Sequence, residues 1–237
     1  MSMDISNAFK KYKSNIKLVM STSLLLIFTL FLVNPLFSLA GGSLNVTYDL
    51  LNQNPLIILL TIIAFLAIVF AYTLVQTLVV YRVQQEYGFD KRNSFEIKRP
   101  FLELLKFNAS FFLLLYIGLC FLFDFGLLNN VLVNICLLIL TALFWFIPQI
   151  IIMEKQSAEY ALIINLNYIK KNWVYFVYLF VAVFILTLVT YIIDALFGVF
   201  TGPIIATVLF VVFVIPFIEI LKTEVYLDKY NLLKPIR

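Results

Sequence analysis

Six long apolar runs, separated by polar stretches of two alternating kinds, organise the chain. They fall at about residues 18–40, 55–81, 107–128, 131–153, 173–195 and 203–221. A helix needs about 20 apolar residues to cross the hydrocarbon core of a bilayer, so each run predicts a spanning helix. The first carries Asn34-Pro35 near its far end, and the third carries Asp124 close to its exit. Turn residues at 126–130 and 198–202, from Gly126 to Asn130 and from Gly198 to Gly202, predict two tight hairpins.

Ahead of each pair of runs lies a shorter stretch with helical periodicity. In the first, Ile5, Ala8, Phe9, Tyr12 and Ile16 share a face. Within 93–107 it is Ile97, Phe101, Leu104 and Leu105, and within 156–171 it is Ala158, Ala161, Leu162, Leu166 and Ile169. Asn93 and Glu96 resemble a capping pair, which places Pro100 in the first turn, where a proline is tolerated. The fold class is therefore all-α: one domain over residues 1–237, a polytopic membrane bundle of six transmembrane helices. It reads as three repeats of an interfacial amphipathic helix plus a transmembrane hairpin. The surface stretches form either a collar against lipid head groups or a partner, or plain extensions of the spans. For the first and third, which join their spans directly, extension is the simpler reading.

Composition agrees with lipid as the solvent. Of 237 residues, 63% are hydrophobic and 13% charged, with mean hydropathy +1.03, against about 45–50% and about 25% in soluble domains. One soluble core of this size cannot hide that surplus. Charge then orients the bundle. The N-terminal arm holds Lys10, Lys11, Lys13 and Lys17, and the second connection holds Arg82, Lys91, Arg92, Lys98, Arg99 and Lys106. The fourth connection holds Lys155, Lys170 and Lys171, and the tail holds Lys222, Lys229, Lys234 and Arg237, which completes the 17 basic residues. The first, third and fifth connections carry only Asp49, Asp124 and Asp194. By the excess of basic residues in cytoplasmic loops, both termini are expected in the cytoplasm, with the protein in the cell membrane. The first apolar run is too long for the core of a cleavable signal peptide.

Little chemistry is visible. The chain has no histidine, the commonest general base and metal ligand. Cys120 and Cys136 lie inside apolar runs and are expected to pack as small hydrophobes rather than pair. No phosphate-binding loop, nucleophile elbow, zinc spacing or dinucleotide fingerprint occurs. The expectation is no enzymatic activity, no cofactor and no metal. The basic excess points to anionic lipid head groups on the cytoplasmic side, not to nucleic acid.

One segment resembles a known family. Phe146-Ile-Pro-Gln-Ile-Ile-Ile-Met-Glu154, then Ser157-Ala-Glu-Tyr-Ala-Leu162 and Lys170-Lys-Asn-Trp173, resembles the membrane domain found beside bacterial glycerophosphoryl diester phosphodiesterases, and related six-helix families of unknown function. Pro148, Glu154, Ala161, Leu162, Lys171 and Trp173 match its pattern, and Val214-Ile-Pro216 repeats the proline element. The resemblance implies a membrane domain without the phosphodiesterase catalytic part, whose histidines this chain lacks.

The centres of the spans, near Thr29, Leu66, Ile117, Thr141, Phe184 and Val212, carry no charge. Intramembrane ionisable groups mark ion and substrate pathways, so this argues against a coupled transporter. Asp124 and Asp194 at outer span ends, with Asn34, are either an external cation or substrate site or simply helix ends in reach of water, and the second is simpler. Glu154 and Glu219 at inner span ends could gate a ligand; the plainer reading pairs them with Lys155 and Lys222 as interface anchors. Pro148 and Pro216 each free a carbonyl and kink a span. Gly198 and Gly202 match G-x-x-x-G but read as a turn. Asn45 heads a glycosylation sequon. Tyr81, Tyr87, Tyr160, Tyr168, Trp173 and Tyr226 crowd the inner interface as an aromatic belt would. Two functions follow: a non-catalytic protein that organises lipid or a partner protein, with homo-oligomerisation open, or a small permease or channel for a weakly polar solute. A polar cavity joining Asn34, Asp124 or Asp194 to Glu154 or Glu219 would favour the second.

Overall fold

The computed structural model describes residues 5–39, 55–86, 97–127 and 131–233. In chain order the helices are α1 (Ile5–Ser14), α2 (Ile16–Leu39), α3 (Pro55–Glu86), α4 (Lys98–Asp124) and α5 (Val131–Ala142). They continue with α6 (Ile147–Glu154), α7 (Ala158–Lys171), α8 (Trp173–Leu209) and α9 (Ile215–Leu233), the last two joined by a π-helical turn at Phe210–Val214. No strand occurs among the described residues. Asn45, Asp49, Tyr87, Asn93 and Glu96 lie outside them, as do the side chains of Asn34, Pro35 and Cys120.

Among the described residues four stretches are helical, long and apolar enough to cross a membrane: Ile62–Glu86, Lys98–Gly118, Trp173–Phe197 and Ile204–Asp228. A bent pair, Ile139–Glu154 with Ala158–Lys171, makes a fifth if it counts as one span, and Ile16–Thr29 is a shorter apolar stretch. Large apolar side chains such as Leu114, Tyr178, Phe184 and Leu196 face outward, which soluble proteins avoid over such areas. These helices are consistent with a membrane location. α3 is the central element, packed by α2, α4, α6 and α9. Within the apolar stretches 44% of the α3 window is buried against 6% of the α8 window, so α8 is an outer wall.

Prolines set the breaks. The run expected at 131–153 is not one rod: α5 stops at Ala142, and tightened turns carry the chain to α6, with Phe144 N–H donating to Thr141 O (3.2 Å) and Trp145 N–H to Ala142 O (3.1 Å). Pro148, one residue into α6, has no N–H to offer the Phe144 carbonyl, and its ring crowds that oxygen. The Ile147 N–H takes it instead at 3.2 Å. That leaves the Leu143 carbonyl without its helical donor, and the Asn165 amide of α7 supplies one. After α6, Lys155 adopts a left-handed conformation (φ 54°), and α7 leaves at 120° to the helix before it. Pro216 acts likewise. Its i−4 carbonyl, Val212 O, accepts from the Tyr12 hydroxyl at 3.0 Å, and the adjoining Val211 O accepts from Ser23 Oγ at 3.2 Å. Both freed carbonyls are thus used to dock α1 and α2.

The hairpin expected at 198–202 is found, in a form the sequence did not suggest. The backbone is helically bonded from Trp173 to Leu209, yet Gly202 lies against the carbonyl of Asp194: a Cβ there would sit 2.1 Å from that oxygen. Eight residues of straight helix would separate them by about 12 Å. The chain therefore doubles back between Asp194 and Gly202, and only glycine fits the crossing. Of the other expected hairpin, residues 128–130 lie outside the described residues, and Gly126 takes φ +67°, the left-handed conformation glycine adopts without strain.

Several expected faces are rotated. In α1 the buried residues are Ala8, Tyr12 and then Asn15, while Phe9 and Ile16 are exposed. In α7 they are Ala161, Asn165 and Tyr168, with Leu166 exposed. Apolar spacing chose the wrong edge because the polar members find internal partners: Asn15 bridges Arg82 (3.1 Å) and Glu86 (2.7 Å) of α3, and Tyr168 OH donates to Val225 O at 3.1 Å. The second amphipathic stretch is the start of α4 and continuous with it. Tyr168 and Tyr226 are core residues, not belt residues, with ring centroids 5.0 Å apart. Cys136 is a free thiol on the exposed surface rather than packed inside. Burial at the junction of α1 with α3 and α9 lowers the Lys11 ammonium below its ordinary range, opposed by the Glu224 and Glu86 carboxylates.

Candidate functional site

A chain of polar side chains crosses the interior of the bundle where the sequence offered only isolated residues. Its centre is Glu219 of α9, almost fully buried. One carboxylate oxygen, Oε1, accepts from Lys222 Nζ at 2.6 Å and from Gln76 Nε2 of α3 at 3.0 Å. The other, Oε2, accepts from Gln149 Nε2 of α6 at 3.0 Å. Gln76 Nε2 also donates to Tyr72 OH at 3.1 Å, and its carbonyl accepts from Asn108 Nδ2 of α4 at 2.9 Å. Asn108 donates its second proton to Thr73 Oγ1 at 2.9 Å. Because an ionised carboxylate only accepts, it orients both glutamine amides, and donation runs inward from Asn108 through Gln76 to Glu219.

Four helices meet here for a physical reason. An unpaired charge in an apolar interior is very costly, so the pair is retained only where further donors fill the carboxylate's lone pairs. Gln76, Gln149 and Lys222 do so. Gln149 Oε1 has no partner among the described residues.

A cleft of about 710 Å³ opens beside this cluster, within the roughly 300–1,000 Å³ typical of small-molecule sites. Asp194, Thr187 and Thr190 of α8 line one end and one wall, and Glu219 with Lys222 lines the other end. The π-helical turn contributes Phe210 and Val211, and α3, α4 and the α5–α6 break contribute Tyr72, Phe112 and Trp145. π-helical turns recur at functional sites because the extra residue re-aims side chains. A smaller cavity of about 230 Å³ lies on the other side of Tyr72, Phe112, Trp145 and Lys222, which line both, and Pro148 is in its wall.

The sequence-level candidates distribute as follows. Glu219 and Asp194 line one cleft, whose remaining lining is mostly apolar. Glu219 pairs with Lys222 as expected, but both side chains are buried inside the bundle. The span was expected to end at 221, whereas the helical stretch that contains it runs on past that point, over Ile204–Asp228. Glu154, by contrast, accepts from the Tyr226 hydroxyl and lines neither cavity. Asp124 is exposed at the end of α4 and also stands outside the cleft. Pro216 belongs to the site only through the π-helical turn before it. Tyr72, Gln76, Asn108 and Gln149 were not singled out by sequence reasoning. The one available signal was amides recurring inside runs that are otherwise apolar. No family model, no curated protein and no solved structure matches the chain.

Proposed function

We propose that the protein is a non-catalytic six-span protein of the cell membrane, with both termini cytoplasmic, whose bundle provides a route for a small, weakly polar solute. The observation that carries this reading is the cleft lined at one end by Asp194 and at the other by Glu219 and Lys222. α2, helical over Ile16–Leu39, serves as the first span in this reading, and α5 with α6 as the fourth. α1, the start of α4, and α7 are the surface elements of the three repeats. α8 is the element that would move, since it buries little of its surface and such elements open at low free-energy cost. The order Pro148, Glu154, Ala161-Leu162, Lys171, Trp173 along α6, α7 and α8 is the order in the phosphodiesterase-associated membrane domains that the segment resembles.

Substituted-cysteine labelling tests the route. With Cys120 and Cys136 replaced by serine, Thr187→Cys lines the cleft and Ile185→Cys lies on the exposed outer face of the same helix. A water-borne, membrane-impermeant thiol reagent should modify the first and leave the second unmodified in proteoliposomes. Equal inertness of both sinks the route.

A second reading, organisation of anionic lipid or a protein partner, is favoured by a groove of about 590 Å³. Lys98, Arg99 and Lys106 of α4 and Lys155 line it, beside Leu102 and Leu105.

A further inference from the structure

The cleft's hydrogen-bonding inventory is lopsided, and that asymmetry defines what fits it. At the inner end, Lys222 Nζ carries three N–H donors and spends one, on Glu219 Oε1 at 2.6 Å. Its side chain is 5% exposed and it lines both cavities, so the other two donors have no acceptor among the described residues. Tyr72 OH accepts from Gln76 Nε2 at 3.1 Å, and its own proton has no acceptor among them either; it too lines both cavities. The Glu219 carboxylate, meanwhile, already receives three N–H groups. The inner end therefore offers donors and needs acceptors.

Charge narrows the ligand further. Lys222 and Glu219 sum to zero, so the end wall is neutral. An anion placed on Lys222 would add an uncompensated charge in a low-dielectric interior, and a cation would meet the ammonium; both are costly. A neutral oxygen acceptor carries neither penalty. Away from this end the walls are mainly apolar, with Ile68, Phe112, Trp145 and Phe210, and the Asp194 carboxylate and Thr207 hydroxyl lie toward the far end. The hydroxyls of Thr187 and Thr190 donate to their own helix, at Val183 O and Thr187 O, and so offer the cleft no donor. From Ala206 to Lys222 the lining extends along sixteen residues, about 24 Å of helix.

Resting on the proposed route, we propose that the cleft takes an elongated, uncharged apolar molecule bearing a carbonyl or hydroxyl oxygen at one end, with that oxygen seated between Lys222 and Tyr72. The test is equilibrium binding to the detergent-purified full chain with Trp173→Phe, which leaves Trp145 of the cleft wall as the sole tryptophan. The probes are 11-(dansylamino)undecanoic acid and its methyl ester, which share one chain and differ in head charge. Energy transfer from Trp145 to the dansyl group, displaceable by an unlabelled long-chain methyl ester, reports occupancy. At pH 8 the ester should bind saturably and the ionised acid at least tenfold more weakly. Tyr72→Phe should weaken the ester by about tenfold. So should the double variant Glu219→Gln/Lys222→Met, which removes both charges together and so avoids leaving one buried alone. Acid binding as tight as the ester, unchanged affinity in both variants, or no displaceable transfer with either probe overturns the proposal. No gradient is involved. A chain that binds the ester while Thr187→Cys stays inert keeps the ligand class and loses the route.

Discussion

Replacing Lys222 with methionine keeps the length and volume of the side chain and removes only its charge and donors. In the folded protein this leaves the Glu219 carboxyl group in an interior where just Gln76 and Gln149 donate to it. At the 2.6 Å separation of Nζ and Oε1, an effective dielectric of about 20 gives an attraction of about 6 kcal/mol. Much of that offsets the desolvation of the two ions, and breaking such a buried pair costs about 3–5 kcal/mol. For a chain of this length each kcal/mol moves the melting midpoint by about 2–4 °C, so Lys222→Met should melt about 6–20 °C lower. Intrinsic fluorescence followed during heating of the detergent-purified protein reads this directly. Glu219→Gln should also destabilise, by less, because its amide oxygen still accepts from Lys222. Combining the two should recover most of the loss, since no charge remains buried, and the non-additivity is the coupling energy of the pair. A Lys222→Met midpoint within about 2 °C of the parent, or a double variant as unstable as the sum of the singles, would refute the claim that this ion pair is buried and mutually dependent.

Gly202→Ala should destabilise by at least about 1–3 kcal/mol, the usual range for overpacking, because its Cβ would meet the Asp194 carbonyl at 2.1 Å; Gly118→Ala, with nothing within 4 Å, is the matched control in the same melt. Asn165→Ala removes the donor to the Leu143 carbonyl freed at the α5–α6 break and should cost about 1–3 kcal/mol. A midpoint unchanged from the parent would show that water serves that carbonyl equally well. Tyr12→Phe loses the hydroxyl that serves Val212 O while keeping the ring contacts with Phe213 and Phe217. Protease nicking near residue 15 should become faster than in the parent, with the melting of the remaining bundle little altered.

Some of this architecture is local and was readable in the residues. The apolar runs dictate helices whatever else surrounds them, because a buried backbone must satisfy its own hydrogen bonds. Pro148 and Pro216 disturb helices because a missing N–H is a property of the residue. Gly202 marks a reversal because nothing larger passes the Asp194 carbonyl. The boundaries were less legible: α4 begins at Lys98 and α9 runs on to Leu233, since charged residues end an apolar run without ending a helix. Amphipathic faces were misread at Phe9, Ile16 and Leu166 because hydropathy scores a polar residue as outward even when a partner waits inside.

The polar cluster belongs to the tertiary structure alone. Gln76 and Glu219 are 143 positions apart, Gln149 and Glu219 70, and Gln76 and Asn108 32. Each of these residues, read along its own helix, is a lone amide or acid among apolar neighbours, and Glu219 looked like an anchor at a span's inner end. Whether such a group is an anchor or an interior charge depends on which donors other helices bring to it, and no window of sequence contains them. The sequence by itself determined helices and the places where prolines break them. Tertiary packing decided that one carboxylate would be held by three donors at the end of a cleft, because pairing energies between helices depend on distances that periodicity does not carry.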